Sequence, residues 1–228
     1  MKVAIVSGAS RGIGRATALE LARRGLGIAV VGRASAEQDA TVDLCRSVGA
    51  PEARAFACDL ADAAATERAA NELLAAFPAP DVLVNSAGTA PRVALEQTST
   101  EVWDEALAVN LRAPFLLARA VLPSMRRREQ GRIIFVGSIS STLGSPRLAA
   151  YTAAKWGVVG LMKSLAADLT DSGVVCLAVL PGSTATRMLE GSGFAPRMTA
   201  EEVAKTIVHY ALDASGAHAG GVIEMFGV

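Results

Sequence analysis

Residues 3–14 read VAIVSGASRGIG, a short apolar run that leads into a glycine-rich loop. The run Val3–Ser7 predicts a buried strand, and the residues after Gly12 have helical periodicity. Gly8 permits a tight turn, while Gly12 and Gly14 let the backbone approach a phosphate group at a helix N-terminus. A plain turn also needs glycine, but this position in a βαβ unit favours dinucleotide binding. We assign the phosphate site to Gly8, Ser10, Arg11, Gly12, Ile13 and Gly14.

The same alternation continues along the chain, where six further apolar runs are separated by segments of helical periodicity. Most runs are continuously apolar, which is typical of strands that are covered on both faces of a parallel sheet. We therefore predict an α/β chain with a single-domain doubly wound Rossmann fold over residues 1–228. Its seven-stranded, mainly parallel sheet would have helices on both faces. The further strands are predicted at residues 27–31, 53–58, 81–85, 132–138, 174–180 and 221–226.

Three helix starts are indicated by capping-box spacing, in which a hydroxyl residue and a partner three positions later satisfy free amides of the first turn. The pairs are Ser35 with Gln38, Thr98 with Glu101, and Thr199 with Glu202. Each pair predicts a helix that begins just after its hydroxyl residue.

The composition excludes several classes of protein. Of 228 residues, 51% are hydrophobic, and 22 basic side chains balance 22 acidic ones. Disordered chains combine low hydrophobicity with high net charge, and nucleic-acid binders need clustered basic charge, so neither class fits. We find no signal-peptide h-region and no uncharged apolar run long enough to span a membrane. We expect a cytoplasmic protein with no nucleic-acid or membrane partner.

The cysteines and histidines show no metal-site pattern. Cys45, Cys58 and Cys176 are widely spaced without a CxxC pair, and His209 and His218 have no acid or cysteine partner in register. A free cysteine behaves as a small apolar group, so we interpret each one as a buried packing residue. We predict no metal.

The end of the second strand distinguishes the two dinucleotides. An NAD site usually places a carboxylate there for the ribose 2′-hydroxyl, whereas a 2′-phosphate needs cationic donors. The strand ends Val31-Gly32-Arg33, and the next carboxylate is Glu37. Arg33 and Arg11 can bind a 2′-phosphate through charged hydrogen bonds, although two solvated surface arginines would give the same sequence. We predict NADP(H) in preference to NAD(H).

Further motifs follow the other predicted strands across nearly the whole chain. They are Asp59-Leu60, Asn85-Ser86-Ala87-Gly88, Asn110, Ser138, Tyr151-Thr152-Ala153-Ala154-Lys155 and Pro181-Gly182. In their order and spacing the chain resembles the short-chain dehydrogenase/reductase family, in its ordinary-length subfamily, and is similar to its 3-oxoacyl-carrier-protein reductases. The departures are small: Ser7 stands where threonine is usual, Ser86 where a second asparagine is common, and the region after Thr186 is short.

Tyr151 and Lys155 also have a chemical interpretation that does not need the family. Four residues apart on a helix, they would lie on one face. An adjacent ammonium favours the phenolate, so we expect Lys155 to lower the pKa of Tyr151 towards neutrality. Tyr151 can then protonate a carbonyl oxygen whose carbon receives hydride. Ser138, at the end of the neighbouring strand, can hydrogen-bond the same oxygen.

The resemblance implies these same catalytic roles and adds Asn110 as the anchor of a water relay. It also implies that Tyr151 and Lys155 contact the cofactor, with Lys155 as a ribose ligand. Asp59 and Leu60 would meet the adenine ring. The remaining implied cofactor residues are Asn85, Ala87 and Gly88 at the adenine ribose, and Pro181, Gly182, Thr184 and Thr186 near the nicotinamide. For the two threonines, simple loop hydroxyls are the alternative.

These residues predict an NADP(H)-dependent oxidoreductase that interconverts a ketone and a secondary alcohol, with a 3-oxoacyl thioester as one candidate substrate. The alternative is a catalytically idle NADP(H)-binding sensor or scaffold, because a fold does not prove a function. A sensor would have no need of a tuned Tyr151, which favours the enzyme.

An acyl carrier protein is a further candidate partner. The run Arg126-Arg127-Arg128 could dock it, but a solvated helix end explains these cations equally well. Glu129 and Ser172 stand where carrier-dependent reductases of the family tend to have basic residues flanking the approach to the site. We therefore disfavour a carrier protein.

The substrate wall is expected from residues 139–150 and 184–198, which are apolar with few polar groups. They suggest a small, uncharged or partly apolar ketone, while Arg147 could accommodate an acid. Helices over residues 103–125 and 152–169 resemble the four-helix dimer seam of the family. We expect a homo-oligomer, either a dimer or a tetramer.

Overall fold

The computed structural model describes residues 1–227, which contain a seven-stranded sheet. The strands are β1 Val3–Ser7, β2 Gly27–Gly32, β3 Ala53–Ala57, β4 Val82–Asn85, β5 Gly131–Val136, β6 Val174–Pro181 and β7 Val222–Met225. The helices are α1 Gly12–Arg23, α2 Ala36–Ser47, α3 Ala63–Ala76, α4 Thr100–Leu107, α5 Ala113–Arg127, α6 Ala149–Asp168 and α7 Ala200–Val208. The sheet order is β3-β2-β1-β4-β5-β6-β7, and all neighbouring strands are parallel. The predicted doubly wound α/β fold is confirmed.

Helices cover both faces of the sheet. Val3 and Ile5 of β1 pack on one face with residues of α3, α5 and α6. Ala4 and Val6 pack on the other face with residues of α1, α2 and α7. All five residues of β1 and all eight of β6 are buried. Burial on both faces explains why these runs are continuously apolar.

The chain changes direction across the sheet at β1, which lies between β2 and β4. Ser7, the last residue of β1, is in register with Val31 of β2 and with Asn85 of β4. The Gly8 amide continues this contact by donating to the Val31 carbonyl at 2.9 Å. Ligands of doubly wound sheets bind at this switch point, outside the carboxyl ends of the strands.

The predicted strand ends differ from the observed ones by one or two residues. β5 ends at Val136 and not at Ser138, although the Gly137 amide still donates to the Val179 carbonyl at 2.8 Å. Ser138 instead begins a short 3₁₀ turn, where its hydroxyl accepts a hydrogen bond from the Ser140 amide at 3.1 Å. A serine side chain that bonds the local backbone competes with the strand ladder.

Two of the predicted helix starts are found where expected. Thr199 and Glu202 form a complete capping box at α7, in which each side chain accepts from the backbone amide of the other residue. Ser35 caps α2 by accepting from the Gln38 amide at 3.2 Å. The Gln38 side chain does not return this bond, because it is buried and donates to the Val30 carbonyl at 3.2 Å.

The third predicted helix start, at Thr98, is wrong by one residue. Ser99 caps α4 by accepting from the Val102 amide at 3.4 Å. The Thr98 hydroxyl is already engaged, since it donates to the Ala94 carbonyl at 2.9 Å and closes the preceding 3₁₀ turn. Glu101 therefore has Ser99, and not Thr98, as its capping neighbour.

α4 and α5 are continuous through a π-helical turn, Ala108–Arg112, and form one helix over Thr100–Arg127. By length and composition this helix could cross a membrane, and half of its most apolar window is buried. Arg112 and Arg119 interrupt this helix, which is why its sequence contains no long uncharged apolar run. Arg119 in this helix pairs with Glu67 of α3 at 2.5 Å. A core helix of a soluble protein can have the same length and apolar composition.

The three cysteines are buried and free. Burial raises the pKa of Cys45 to about 11 and that of Cys176 to about 12, and it also raises the pKa of Cys58. A buried thiol with a raised pKa is unreactive. Their interpretation as packing residues is confirmed.

Ser7 generates the first testable prediction. Its buried hydroxyl accepts hydrogen bonds from the Ser86 and Ala87 amides at 3.1 and 3.2 Å. Because Ser7→Ala leaves both amides without this acceptor, we expect the free energy of unfolding in urea to fall by about 1–3 kcal/mol. Ser47→Ala removes an exposed hydroxyl and should change it by less than about 0.5 kcal/mol. Equal losses in the two variants would contradict this role of Ser7.

Candidate cofactor and active site

The carboxyl ends of the strands gather the predicted site residues at one edge of the sheet. Loops after β1 to β6 contribute most of them, while Tyr151 and Lys155 come from the first turns of α6 and Asn110 from the π-helical turn. The loop and strand-end residues at this edge are Gly8, Ser10, Arg11, Gly12, Ile13, Gly14, Arg33, Asp59, Leu60, Asn85, Ala87, Gly88, Ser138, Pro181, Gly182, Thr184 and Thr186.

The loop after β1 is a cradle that requires glycine. Gly8 has φ +68°, and a Cβ there would lie 2.5 Å from the Ala87 Cα. Gly12 has φ +57°, and a Cβ there would lie 3.3 Å from the Thr186 Cγ2, so the loop after β6 lies over the glycine loop. α1 has no side-chain cap at Arg11, which leaves first-turn amides available. A pyrophosphate fits these donors, because free amides at a helix N-terminus bind anions.

Arg11 and Arg33, the two basic residues predicted to bind a 2′-phosphate, differ in their contacts. Arg11 pairs with Glu37 at 3.2 Å, and both side chains are about half exposed. Arg33 is exposed. Glu37, the next carboxylate after β2, lies in the first turn of α2, which brings it beside the glycine loop.

Arg15 also lies here and was not predicted. It donates from Nε to the Thr41 Oγ1 at 3.0 Å and from Nη2 to the Glu37 carbonyl at 3.1 Å. It additionally donates to the Ser10 carbonyl. Its signal in the sequence was its position one helical turn after Arg11, on the same face of α1.

The residues assigned to adenosine differ in exposure. Asp59 is exposed and its carboxylate accepts from the Ala61 amide at 3.0 Å, whereas Leu60 is buried. Asn85 is buried, and neither its Oδ1 nor its Nδ2 has a hydrogen-bond partner within the described part of the chain. Buried amide groups are normally satisfied, so a ligand or ordered water at this edge would complete the Asn85 side chain.

Tyr151 and Lys155 lie one turn apart on α6, and both are buried. The Lys155 Nζ donates to the Val136 carbonyl, at the end of β5, at 2.8 Å. The same Nζ lies 5.7 Å from the centroid of the Tyr151 ring. The Ser138 hydroxyl lies close enough to the Tyr151 hydroxyl to lower the pKa of the phenol. The structure therefore brings Ser138, Tyr151 and Lys155 together, as predicted.

The electrostatics of this cluster differ from the sequence expectation. Burial raises the pKa of Tyr151, and the nearby Ser138 hydroxyl and the charge of Arg92 lower it only in part. The net shift is upward, so the predicted lowering of the Tyr151 pKa towards neutrality is wrong, and Lys155 is not among the groups that lower it. Burial disfavours the ammonium as well, and it lowers the pKa of Lys155 to about 8.

Asn110 is buried in the π-helical turn beside this cluster. Its Nδ2 donates to the carbonyls of Thr89 and Ala106, at 2.9 Å each, and its Oδ1 accepts from the Thr89 amide at 3.3 Å. A Cβ at Gly88 would lie 2.9 Å from the Asn110 Oδ1 and 3.8 Å from the Lys155 Nζ. Glycine at position 88 is therefore needed where these two side chains meet.

The loop after β6 makes mainly local contacts. Pro181 ends the strand, and the Gly182 amide donates to the Met225 carbonyl at 2.8 Å. The hydroxyl of Thr184 donates to the Gly182 carbonyl at 3.1 Å, and that of Thr186 to the Thr184 carbonyl at 3.3 Å. Thr184 is buried, so its contact with a nicotinamide carboxamide would come from the backbone.

Glu129 and Ser172 do not flank this site within the chain. Glu129 precedes β5 and Ser172 precedes β6, so both lie at the amino edge of the sheet. The segments that contain them are close to each other, because a Cβ added at Gly173, the residue after Ser172, would lie 1.9 Å from the Glu129 carbonyl oxygen. The expectation that they border the approach to Tyr151 is wrong, because parallel strands place their amino ends opposite the motif loops.

A glycine loop at the switch point and a Ser–Tyr–Lys cluster beside it, with its tyrosine and lysine buried, define an oxidoreductase of the Rossmann class. The family model for short chain dehydrogenases matches residues 2–194. The chain belongs to this family of oxidoreductases, which use NAD or NADP as cofactors.

Known relatives span the whole chain. A 3-oxoacyl-[acyl-carrier-protein] reductase of Synechocystis is 37% identical, and the match covers 96% of this chain and 93% of the relative. A metagenomic short-chain oxidoreductase, solved in complex with NADP, has a TM-score of 0.87 at 32% identity, covering 100% and 97% of the two chains. The acetoin dehydrogenase of Salmonella typhimurium has a TM-score of 0.89 at 28% identity, covering 98% and 93%.

The buried Lys155 generates a second prediction, on stability against pH. Its folded pKa of about 8 lies below the unfolded value, so the unfolded state binds more protons between about pH 8 and about pH 10. Wild type therefore gains stability from this group as pH rises through that window, and Lys155→Met does not. We expect the stability of Lys155→Met relative to wild type to be highest at neutral pH and to fall by about pH 9.5, measured by urea unfolding. A difference that does not change with pH would contradict the lowered pKa.

Proposed function

We propose that the protein is an NADP(H)-dependent oxidoreductase that reduces a ketone to a secondary alcohol, in a reversible reaction. The observation that carries this proposal is the cluster of buried Tyr151 and Lys155 with partly buried Ser138 beside the glycine loop. One domain, residues 1–228, would hold both the cofactor and the substrate. The reduced nicotinamide supplies a hydride to the carbonyl carbon when the cofactor is bound.

Tyr151 supplies the proton in this proposal. Because burial raises its pKa, the phenol is protonated at neutral pH and can donate to the ketone oxygen as negative charge develops there. The carbonyl thereby gains a C–H and an O–H bond, and the phenolate recovers its proton from water. Ser138 orients the same oxygen through its hydroxyl. Asn110, hydrogen-bonded through both side-chain atoms, would anchor the returning water.

Lys155 acts on the phenolate that forms during the reaction. An ammonium on the same helix face opposes the desolvation cost of that anion. Its bond to the Val136 carbonyl holds it at this position. We further propose that Lys155 and Tyr151 contact the cofactor ribose.

NADP(H) is the proposed cofactor, with the 2′-phosphate held by Arg11 and Arg33. The metagenomic relative that binds NADP supports this preference. Arg11 would have to exchange its ion pair with Glu37 for the phosphate, and the cost is small because exposed pairs contribute little. The other cofactor contacts stay as proposed from the sequence: Asp59 and Leu60 at adenine, Asn85, Ala87 and Gly88 at the ribose, and Pro181, Gly182, Thr184 and Thr186 at the nicotinamide side.

A 3-oxoacyl thioester is the second candidate substrate, favoured by the Synechocystis relative named for that reaction. A carrier protein remains disfavoured, because Arg126 donates to the Asp168 carbonyl at 3.0 Å and Arg128 pairs with Asp81 at 3.1 Å. Two of the three cations in the run are thus engaged within the chain.

We propose a homo-oligomer that associates through the helices after β4 and β5. Phe115 and Trp156 are exposed there. Phe115 lines a groove of about 590 Å³, and exposed aromatic groups are typical of subunit contacts. The groove is lined by Asp104, Leu107, Ala108, Leu111, Arg112, Phe115 and Leu161. A cytoplasmic location stays a prediction, and three free cysteines fit a reducing compartment.

The third prediction tests the role of Tyr151. Tyr151→Phe removes the proton donor, so we expect ketone-dependent NADPH oxidation to fall by about 10²–10⁴-fold. The panel of substrates assayed should include ketones, 3-oxoacyl thioesters and quinones. NADPH affinity, measured by fluorescence titration, should change little because the ring remains. A wild type that binds NADPH but turns over no member of the panel would support the sensor instead.

The fourth prediction tests the choice of dinucleotide. A Cβ at Gly32 meets no atom within 4 Å, so an aspartate fits there without clashes. The double variant Gly32→Asp with Arg33→Gln should weaken NADP⁺ binding by about 10–100-fold, since it removes a charged hydrogen bond and adds repulsion. Calorimetry would measure the affinities for NADP⁺ and NAD⁺. Glu37→Gln, which frees Arg11, should tighten NADP⁺ binding, and equal wild-type affinities for both cofactors would refute the assignment.

A further inference from the structure

Three loops that border Tyr151 are tied to one another. The Val93 amide, after β4, donates to the Arg147 carbonyl, after β5, at 2.9 Å. The Arg92 Nη2 donates to the Met188 carbonyl, after β6, at 3.4 Å. The Arg92 side chain therefore connects the loop after β4 with the loop after β6.

Met188 extends this contact to the catalytic cluster. Its Cε lies 3.5 Å from the Cβ position of Gly88, and that position lies 3.8 Å from the Lys155 Nζ. Arg92 is only partly exposed. Its positive charge also acts on the Tyr151 hydroxyl, where it favours the phenolate and lowers the pKa. Through Met188, Arg92 is thus connected to the residues around the Lys155 amine.

Arg92 has no carboxylate partner among residues 1–227. Residues 88–93 and 139–150 contain no acid, and residues 184–198 contain only Glu190. Glu224 of β7 borders the wall, where it accepts from the Thr142 hydroxyl at 2.6 Å. The arginines of these segments are Arg92, Arg147, Arg187 and Arg197.

We propose that Arg92 binds an anionic group of the substrate, so that the site selects ketones with a carboxylate or phosphate near the reacting carbonyl. This inference rests on the proposed ketone reductase function. A guanidinium forms paired, charged hydrogen bonds with such groups, and it does so more strongly where water is partly excluded. A neutral ketone or a simple thioester offers the guanidinium no charge to bind.

Arg92 is the better candidate than Arg147, which the sequence suggested for an acid. Arg147 is exposed, with φ +61°, and its carbonyl bonds the Val93 amide. Arg92 instead lies between two loops at the cluster itself. The sequence could not indicate this, because no motif contains Arg92 and only the fold brings it to Met188.

Matched substrates test the proposal. We would measure kcat/KM with NADPH for 3-oxobutanoate, its methyl ester, the N-acetylcysteamine thioester of the same acyl group, and dihydroxyacetone phosphate. Wild type should favour an anionic ketone over the neutral ester by about tenfold or more, because a charged hydrogen bond contributes at that scale. The carboxylate and phosphate substrates distinguish the two sources of negative charge.

Three variants separate recognition of charge from a structural role. Arg92→Gln should lower kcat/KM for the preferred anionic ketone by about 10–100-fold and leave the methyl ester within about threefold. Arg92→Lys should restore part of the preference. Arg127 is an exposed arginine at the amino edge of the sheet, so Arg127→Gln should leave kcat/KM unchanged for both substrates.

Two outcomes overturn the inference in distinguishable ways. The inference fails, and the proposed reductase function is kept, if wild type reduces the ester or thioester at least as well as the anions. It fails in the same way if Arg92→Gln lowers kcat/KM equally for all substrates. If no ketone of any charge is reduced, both proposals fail.

Discussion

The buried amine of Lys155 is the constraint around which this site is built. An ammonium withdrawn from water is costly unless it is hydrogen-bonded, and burial lowers the pKa of Lys155 to about 8. Its bond to the Val136 carbonyl ties α6 to the end of β5. That tie places Tyr151, one turn earlier, over the same strand end. Beside Lys155, position 88 requires glycine because a Cβ there would lie 2.9 Å from the Asn110 Oδ1.

The cofactor region is joined to this cluster through the loops and not through a second domain. The Ser7 hydroxyl holds the loop after β4 against the end of β1, next to the glycine loop. Thr186, after β6, lies over Gly12. The proposed phosphate and proton-donor sites therefore lie at the same carboxyl edge of one sheet. Both faces of that sheet are buried under helices. A bound nicotinamide and a ketone would meet between these loops.

Much of this arrangement could be predicted from the sequence, because continuous apolar runs and motif spacing report local requirements directly. Tertiary properties could not. Burial raises the pKa of Tyr151, whereas the sequence predicted a lowered pKa. No local sequence pattern reports how deeply a side chain is buried in the fold. The Thr98 hydroxyl was already bonded to Ala94, so Ser99 capped the helix. Arg92 lies outside every motif, and only loop packing brings it to the site.

We propose that hydride passes directly to a ketone carbon held beside Tyr151. Mass spectrometry of the alcohol formed from a ketone and NADPH that carries deuterium at the transferred position of C4 tests this step. We expect an alcohol with one deuterium on its carbinol carbon. Consumption of the labelled NADPH with unlabelled alcohol, or with no alcohol at all, would contradict it.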